Sequence, residues 1–348
     1  MISIQQHQAF HGRNCYSTPF HDLNIPSQLR VLLDAVGREH LHRAKVVSTK
    51  TCNERSLLAS LVFRQLAEGD FKPRSVLSFS QAHITYLVKR WESEKLSPAT
   101  MQTRFSHLRW FAAAIGKPGL VRAPSFYGLD DACYSRNLLA VRDKSWSAKE
   151  VDIDDIVRKV EQIDRLVALH VRLMHEFGLR LREAILLRPL IAHLGEYLRV
   201  EEGTKGGRTR VVPIRYESQL EVLRIATEVS RSLPKGRLVP AGSNFDTARN
   251  RFYYVMKQCG ITKAQLGVTG HGLRHEYAND LYEEISGQKS VVRGASEILD
   301  RARDKDARRQ VTNDLGHVRL DVTAAYTGPM NPKRVRIQRP PPQQAQSS

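Results

Sequence analysis

Cysteine is scarce and scattered. Four occur in 348 residues, at Cys15, Cys52, Cys133 and Cys259, and none form a C-x-x-C pair. That usage excludes a disulfide framework and reads as free thiols in a reducing compartment. Long apolar runs are missing too, so no stretch has the length and polarity of a bilayer-spanning helix. The opening MISIQQHQAF lacks the basic-then-apolar layout of a signal peptide, and no basic amphipathic stretch sits beside a lipidation signal. These absences point to the cytoplasm and away from membranes. There is no G-x-x-x-x-G-K-[ST] loop, no carboxylate cluster of metal type and no internal repeat. His7, His11, Cys15 and His21 lack the paired spacing of a zinc site. No cofactor and no metal are expected.

Acidic residues are the remaining shortage. Asp and Glu total 36 against 54 Lys and Arg, a net charge of +18. An excess of this size favours a polyanionic partner, and nucleic acid is the usual one. The expected partner is double-stranded DNA, and the expected location the nucleoid.

Length and punctuation divide the chain. A chain of 348 residues is long enough for about two domains with separate cores. Residues 1–25, polar and rich in His and Gln, read as a flexible extension. Residues 26–140 read as a helical domain, with helices at Ser27 to Ala44, Asn53 to Glu68, Ser80 to Trp91, and from Ser97-Pro98 to Gly116. Leu57, Leu58, Leu61, Val62 and Leu66 form the apolar stripe of the second. Met101, Phe105, Leu108, Ala112 and Ile115 form that of the fourth. Arg104, His107 and Arg109 lie largely off that stripe, where a basic chain would meet phosphates. Pro118, Gly119, Pro124 and Gly128 break the rhythm; a short helical piece is expected near Leu138, and Arg142-Asp143-Lys144-Ser145 marks the boundary.

A second domain follows over 143–328. Helices are expected at Asp154 to Gln162, Arg165 to Phe177 and Arg180 to Leu187. Then Tyr197 to Glu201 alternates, Thr204-Lys205-Gly206-Gly207 turns, and Arg210 to Ile214 is apolar and β-branched, a hairpin with lysine at its tip. Helices resume at Glu217 to Ser230, Asp246 to Gln258 and His271 to Glu284, with a short one at Leu320 to Tyr326. Residues 329–348, with four basic residues, no acidic ones and a Pro and Gln bias, read as a disordered tail. The fold class is mainly α with a small β-hairpin, α+β overall.

Four segments of the second half carry the chemistry. They are Gly178-Leu179-Arg180 with Glu183, Thr204-Lys205-Gly206-Gly207-Arg208, His271-Gly272-Leu273-Arg274-His275, and Leu315-Gly316-His317 with Tyr326 nine residues on. Each is weak alone. In this order and spacing they resemble the tyrosine recombinase (phage integrase) family. The resemblance covers nearly the whole second half and extends loosely to the first. It implies a helical SAM-like core-binding domain, a catalytic domain, and site-specific recombination in a synaptic tetramer on DNA, with accessory directionality factors as partners. The residues matching the family's catalytic set are Arg180, Lys205, His271, Arg274, His317 and Tyr326.

The same residues make chemical sense at a phosphodiester. Two guanidiniums suit the non-bridging oxygens of a phosphate whose charge spreads as it reacts. Lys205 can protonate a leaving alkoxide, and His271 can accept the tyrosine proton. His317 would orient the phosphate. Tyr326 is the expected nucleophile. A phosphotyrosine bond retains the ester energy, so neither ATP nor metal is required. Glu183 is expected to support the helices around Arg180. Arg208 and Arg210 read as DNA-backbone contacts, beside Arg104 and Arg109. His275 reads as a buttress or core histidine.

One departure stands out. Arg274 and His317 are 43 residues apart, more than the family usually has. The surplus, about 286–310, carries Arg301, Arg303, Lys305, Arg308 and Arg309, and reads as an insertion outside the catalytic fold that faces DNA or a neighbour. That insertion and the basic tail favour a mobile-element integrase. Residues before 26 show no separate DNA-binding domain, which argues against the larger integrases. The competing readings are a type IB topoisomerase and a regulator that binds DNA without chemistry.

Overall fold

The computed structural model describes residues 19–40, 46–135 and 139–332. The expected disorder of the tail from 333, the character of residues 1–18 and the helical piece near Leu138 lie outside these. The chain divides into two compact units, Met1–Asn137 and Leu138–Ser348. The break precedes the 142–145 run. The reason is local: the Ala140 amide donates to the Ala324 carbonyl at 2.9 Å, so this stretch already belongs to the second unit.

The first unit is helical. Its elements are α1 (Ile25–Val36), α2 (Thr49–Glu68), α3 (Gln81–Ser93), α4 (Pro98–Ala114) and the single turn α5 (Asp131–Tyr134). Asn24, Ser48 and Ser97 cap α1, α2 and α4 with their side-chain oxygens. Helix α1 stops at Gly37, well short of the expected Ala44. The freed Gly37 and Glu39 carbonyls accept from Arg55, at 2.6 and 2.8 Å, and its guanidinium lies 4.2 Å over Trp110. The α4 stripe is buried as expected and widened by Trp110 and Phe111. In α2, Leu58, Val62 and Leu66 are buried, but Leu57 is 72% exposed and leaves the stripe.

The second unit holds α6 (Ile153–Ile163), α7 (Arg165–Phe177), α8 (Leu181–Leu186), α9 (Pro189–Ala192), β1 (Tyr197–Val200), β2 (Arg210–Pro213), α10 (Glu217–Arg231), α11 (Phe245–Gln258), α12 (Gly270–Ser286), α13 (Arg301–Asp314) and α14 (Ala324–Thr327). Pro189 opens α9, since proline suits a first helical position. Strands β1 and β2 are antiparallel, with Leu198 opposite Val212 and Val200 opposite Arg210. Helix α7 packs on α6, α10 and α12, and α12 packs on α13. Leu169, Val171, Leu173, Phe177, Leu273, Leu281, Ala307, Val311 and Leu315 share one core.

That core corrects the reading of 286–310 as lying wholly outside the fold: its helical end is packed, while 291–303 carries no buried residue. Helix α13 lies in the fold, with Ala307, Arg308, Val311 and Leu315 each 0% exposed. The stripe repeats at three and four residues, but a buried arginine hides it from a polarity count. Arg301, Arg303, Lys305 and Arg309 are exposed, as expected. Replacing residues 288–309 by a short Gly-Ser link should therefore unfold the second unit. Loss of cooperative thermal unfolding would show this; a retained transition would restore the insertion reading.

Candidate active site

The site begins at the α7–α8 corner. Gly178 ends α7 in the left-handed region, at φ 58°, and a Cβ there would stand 2.6 Å from the Tyr277 ring. Its carbonyl accepts from Arg274 Nη1 at 2.5 Å. Two residues on, Arg180 precedes α8. Its backbone N–H donates to Glu183 Oε2 at 2.8 Å and its guanidinium to Oε1 at 2.7 Å.

Glu183 is fully buried among cations. Arg210 donates to both carboxylate oxygens, at 2.9 and 2.8 Å, and to the Asp314 carbonyl at 2.7 Å. Arg274 Nη1 is 3.9 Å from the same carboxylate. Burial alone would raise the Glu183 carboxyl; the Arg210 hydrogen bonds and charge, then Arg274 and Arg180, overcome it and hold it at about 2. Arg210 is thus corrected from a DNA-backbone contact to an internal strut. The alternation of β2 explains it: Arg210 shares the inward face of Val212, and Val211 points out.

Helix α12 supplies the next residues. Its N-terminus is anchored by Trp146, whose indole N–H donates to the Thr269 carbonyl at 2.9 Å. A Cβ on Gly272 would meet the Lys144 carbonyl at 2.7 Å, so only glycine admits this approach. Arg274, 0% exposed, donates from Nη2 to the Leu315 carbonyl at 2.5 Å and from Nε to the Tyr326 hydroxyl at 3.3 Å. Three imidazoles surround the Tyr326 ring, with centroids at 4.7 Å for His275, 5.7 Å for His317 and 6.0 Å for His271. Residues from α12, from the turn after α13 and from α14 therefore meet at one phenol.

All three imidazoles are neutral near pH 7. Burial, then Arg274 and Arg180, lowers His271 to about 4 and His317 to about 3. Burial, then His271, lowers His275 to about 3. Lys205 stands exposed in the hairpin turn, and its charge is among those that depress His317. Among the described residues, no group of three or more His, Cys, Asp or Glu is placed to hold a metal ion. No described helix is long and apolar enough to cross a membrane.

Two family models match the chain. One, described as Integrase, covers residues 140–280, and one, described as Phage integrase, N-terminal, covers residues 27–121. The chain belongs to the phage integrase, or tyrosine recombinase, family. No curated protein sequence matches it. Among solved structures, a lambda integrase dimer bound to a COC′ core site is 16% identical, with a TM-score of 0.55 over 94% of this chain and 86% of that one. The XerH recombinase bound to palindromic difH is also 16% identical, with a TM-score of 0.52 over 97% and 89%. The Tn1549 transposon integrase in complex with transposon right end DNA is 12% identical, with a TM-score of 0.55 over 89% and 98%. These likenesses show the integrase fold, with its SAM-like N-terminal unit.

Within this phage integrase fold the candidate residues separate into groups. Arg180, His271, Arg274, His317 and Tyr326 come together, with Glu183 beneath the arginines. Arg208 is exposed beside Lys205. Arg109 is exposed in the first unit, 5.6 Å from the Phe105 ring, and Arg104 lies 4.8 Å over Trp91, only 16% exposed. His275, read as a buttress or core histidine, is 3% exposed and packs against the phenol ring. The signal was present: one helical turn after His271, it shares that residue's face.

The buried histidines predict an acid-labile fold. His170, lowered to about 4 by burial, donates to the Leu238 carbonyl at 2.9 Å, and His275 is 3% exposed. Both have folded values below the ordinary 6.5. Their neutral forms therefore stabilise fully above about pH 6.5, and this is lost as pH falls toward 4 and 3. Urea midpoints should drop between pH 6.5 and 4, and His275→Gln should flatten the drop. A pH-independent midpoint would contradict the burial of both rings.

Proposed function

We propose that this chain is a site-specific DNA recombinase that cleaves and rejoins strands through a 3′-phosphotyrosyl bond at Tyr326. One contact carries the reading: the Tyr326 hydroxyl 3.3 Å from Nε of a fully buried arginine, with three imidazoles around its ring. Tyr326 Oη attacks the phosphorus. A bond from Oη to phosphorus forms, and the bond to the 5′ oxygen breaks. The phenol proton passes to His271, which is neutral and able to take it. Lys205 protonates the leaving 5′ oxygen. Arg180 and Arg274 pair with the non-bridging oxygens, and His317 offers Nε2, which is buried without a partner among the described residues. A bound phosphate brings negative charge and raises the imidazoles toward their working range. Rejoining reverses these steps with a 5′ hydroxyl of the partner strand, so no nucleotide cofactor is consumed.

Exchange of strands between two duplexes calls for four protomers on DNA, and the setting we propose is a mobile genetic element, with directionality supplied by an accessory protein. The test uses a pool of nicked duplexes of randomised sequence. Covalent adducts are isolated under denaturing conditions and the attached DNA is sequenced. Adducts at one sequence are expected. Adducts on any duplex would make the chain a topoisomerase, and duplex binding with no adduct would make it a regulator.

A further inference from the structure

We propose that Arg308 is a positioning residue for the nucleophile, holding the Tyr326 turn by its far end so that the phenol oxygen stays at Arg274. The proposal rests on the strand-transfer reading of Tyr326. It begins from a mechanical problem. Helix α14 is four residues long and follows a four-residue 3-10 turn, Leu320–Thr323. A single turn fixes several dihedral angles for one hydrogen bond and does not hold itself. Whatever packs on it sets where Tyr326 points.

Arg308 packs on it from α13. Its guanidinium is fully buried. Nε donates to both oxygens of Asp304, at 2.9 and 3.1 Å, which neutralises the charge. Nη1 is thereby free to donate forward. It does so to Thr327 Oγ1 and to the Gly328 carbonyl, each at 2.8 Å, while Nη2 reaches the Pro329 carbonyl at 3.5 Å. These acceptors lie one to three residues beyond Tyr326.

The other end of the turn is held by the same helix. Thr312 Oγ1 donates to the Arg308 carbonyl at 2.6 Å and lies 2.5 Å from Thr323 Oγ1. Asp304 is braced in turn by the Tyr282 hydroxyl, which donates to it at 2.6 Å. The tie therefore runs from α12 through Asp304 and Arg308 to the residues flanking Tyr326. Among the described residues, the polar partners of the Arg308 guanidinium are Asp304, Thr327, Gly328 and Pro329, none of them a member of the candidate site, so its effect is routed through the tyrosine.

The experiment separates nucleophile placement from integrity of the site. Thr327→Val removes one acceptor of Arg308 and keeps the buried Arg308–Asp304 pair; Arg308→Lys keeps the charge and loses the fork; Arg308→Met is the severe case. Each is measured on the nicked duplex recovered from the pool, as the rate of covalent adduct formation. Misplacing an attacking atom by about 1 Å costs roughly 100-fold, so Arg308→Met should lose about that much, and Thr327→Val and Arg308→Lys less. Each substitution is then placed in a Tyr326→Gly chain supplied with hydrogen peroxide, whose oxygen replaces the phenol as nucleophile. There the substitutions should leave the strand-cleavage rate unchanged. Equal losses in both arms would overturn the proposal, because Arg308 would then hold the whole site. Native adduct rates in folded variants would overturn it too. Should Arg308→Met fail to fold, Thr327→Val decides by the same two arms. Failure of the native chain to form any adduct would instead refute the strand-transfer reading itself.

Discussion

Tyr326→Phe is expected to bind the cleavable duplex as the native chain does and to form no covalent adduct. The substitution deletes one oxygen and little volume. That oxygen accepts from Arg274 Nε, which loses this partner, while Nη1 and Nη2 keep their bonds to the Gly178 and Leu315 carbonyls and hold the guanidinium in place. Folding should weaken by about 1–3 kcal/mol, the usual cost of leaving one buried donor unpaired. The chemistry should fall by at least ~10⁴-fold, since a covalent nucleophile has no substitute within its own site. Thermal unfolding, duplex binding and adduct yield together read this. Adduct at native yield in the Phe variant would move the nucleophile elsewhere and dissolve the functional reading.

The second large effect falls on stability. Glu183→Gln should destabilise the second unit by about 3–5 kcal/mol, the usual cost of breaking a buried ion pair by removing one partner. The carboxyl lies at about 2 against an ordinary 4.5, and that difference alone corresponds to about 3 kcal/mol. The sign follows from a depressed acid. Its stabilisation is complete above about pH 4.5 and is lost as pH falls toward 2, so the gap between native and Gln chains should narrow in acid. Adduct formation should fall as well, because Arg180 is tied to Glu183 by both its backbone and its guanidinium. Guanidinium-induced unfolding at pH 7 and pH 4 measures the gap. An unchanged midpoint at pH 7 would mean that Arg210 and Arg274 find other partners and that Glu183 is not the hub.

Much of the site was legible in the order of residues. Arg180 with Glu183 and His271 with Arg274 are each joined by a step of three, which a helical turn converts into a shared face, while His317 and Tyr326 were paired by the family resemblance. The hairpin was legible for the same reason, since alternation is local. The start of α4 followed Ser97-Pro98, where Ser97 Oγ accepts from the Thr100 N–H at 3.3 Å. Leu57 and the end of α1 were misread because period and polarity do not say which neighbour a helix has.

The sequence by itself determined the family, the helical class, the hairpin and the candidate residues that meet around Tyr326. Tertiary structure decided three further things. Arg210 became a strut rather than a surface cation, because its partner Glu183 is 27 residues away and lies on its buried side. His275 became part of the phenol's surroundings, because Tyr326 arrives from another helix. The helical end of 286–310 became a packed element, because the charge of Arg308 is neutralised by Asp304 and its remaining donors are used by Thr327 and Gly328. Arg210 and His275 are buried by partners distant along the chain, and Arg308 adds distant acceptors, Thr327 and Gly328, to its neighbour Asp304. Polarity is a property of a residue, but burial is a property of its partners, and those exist only once the chain has folded.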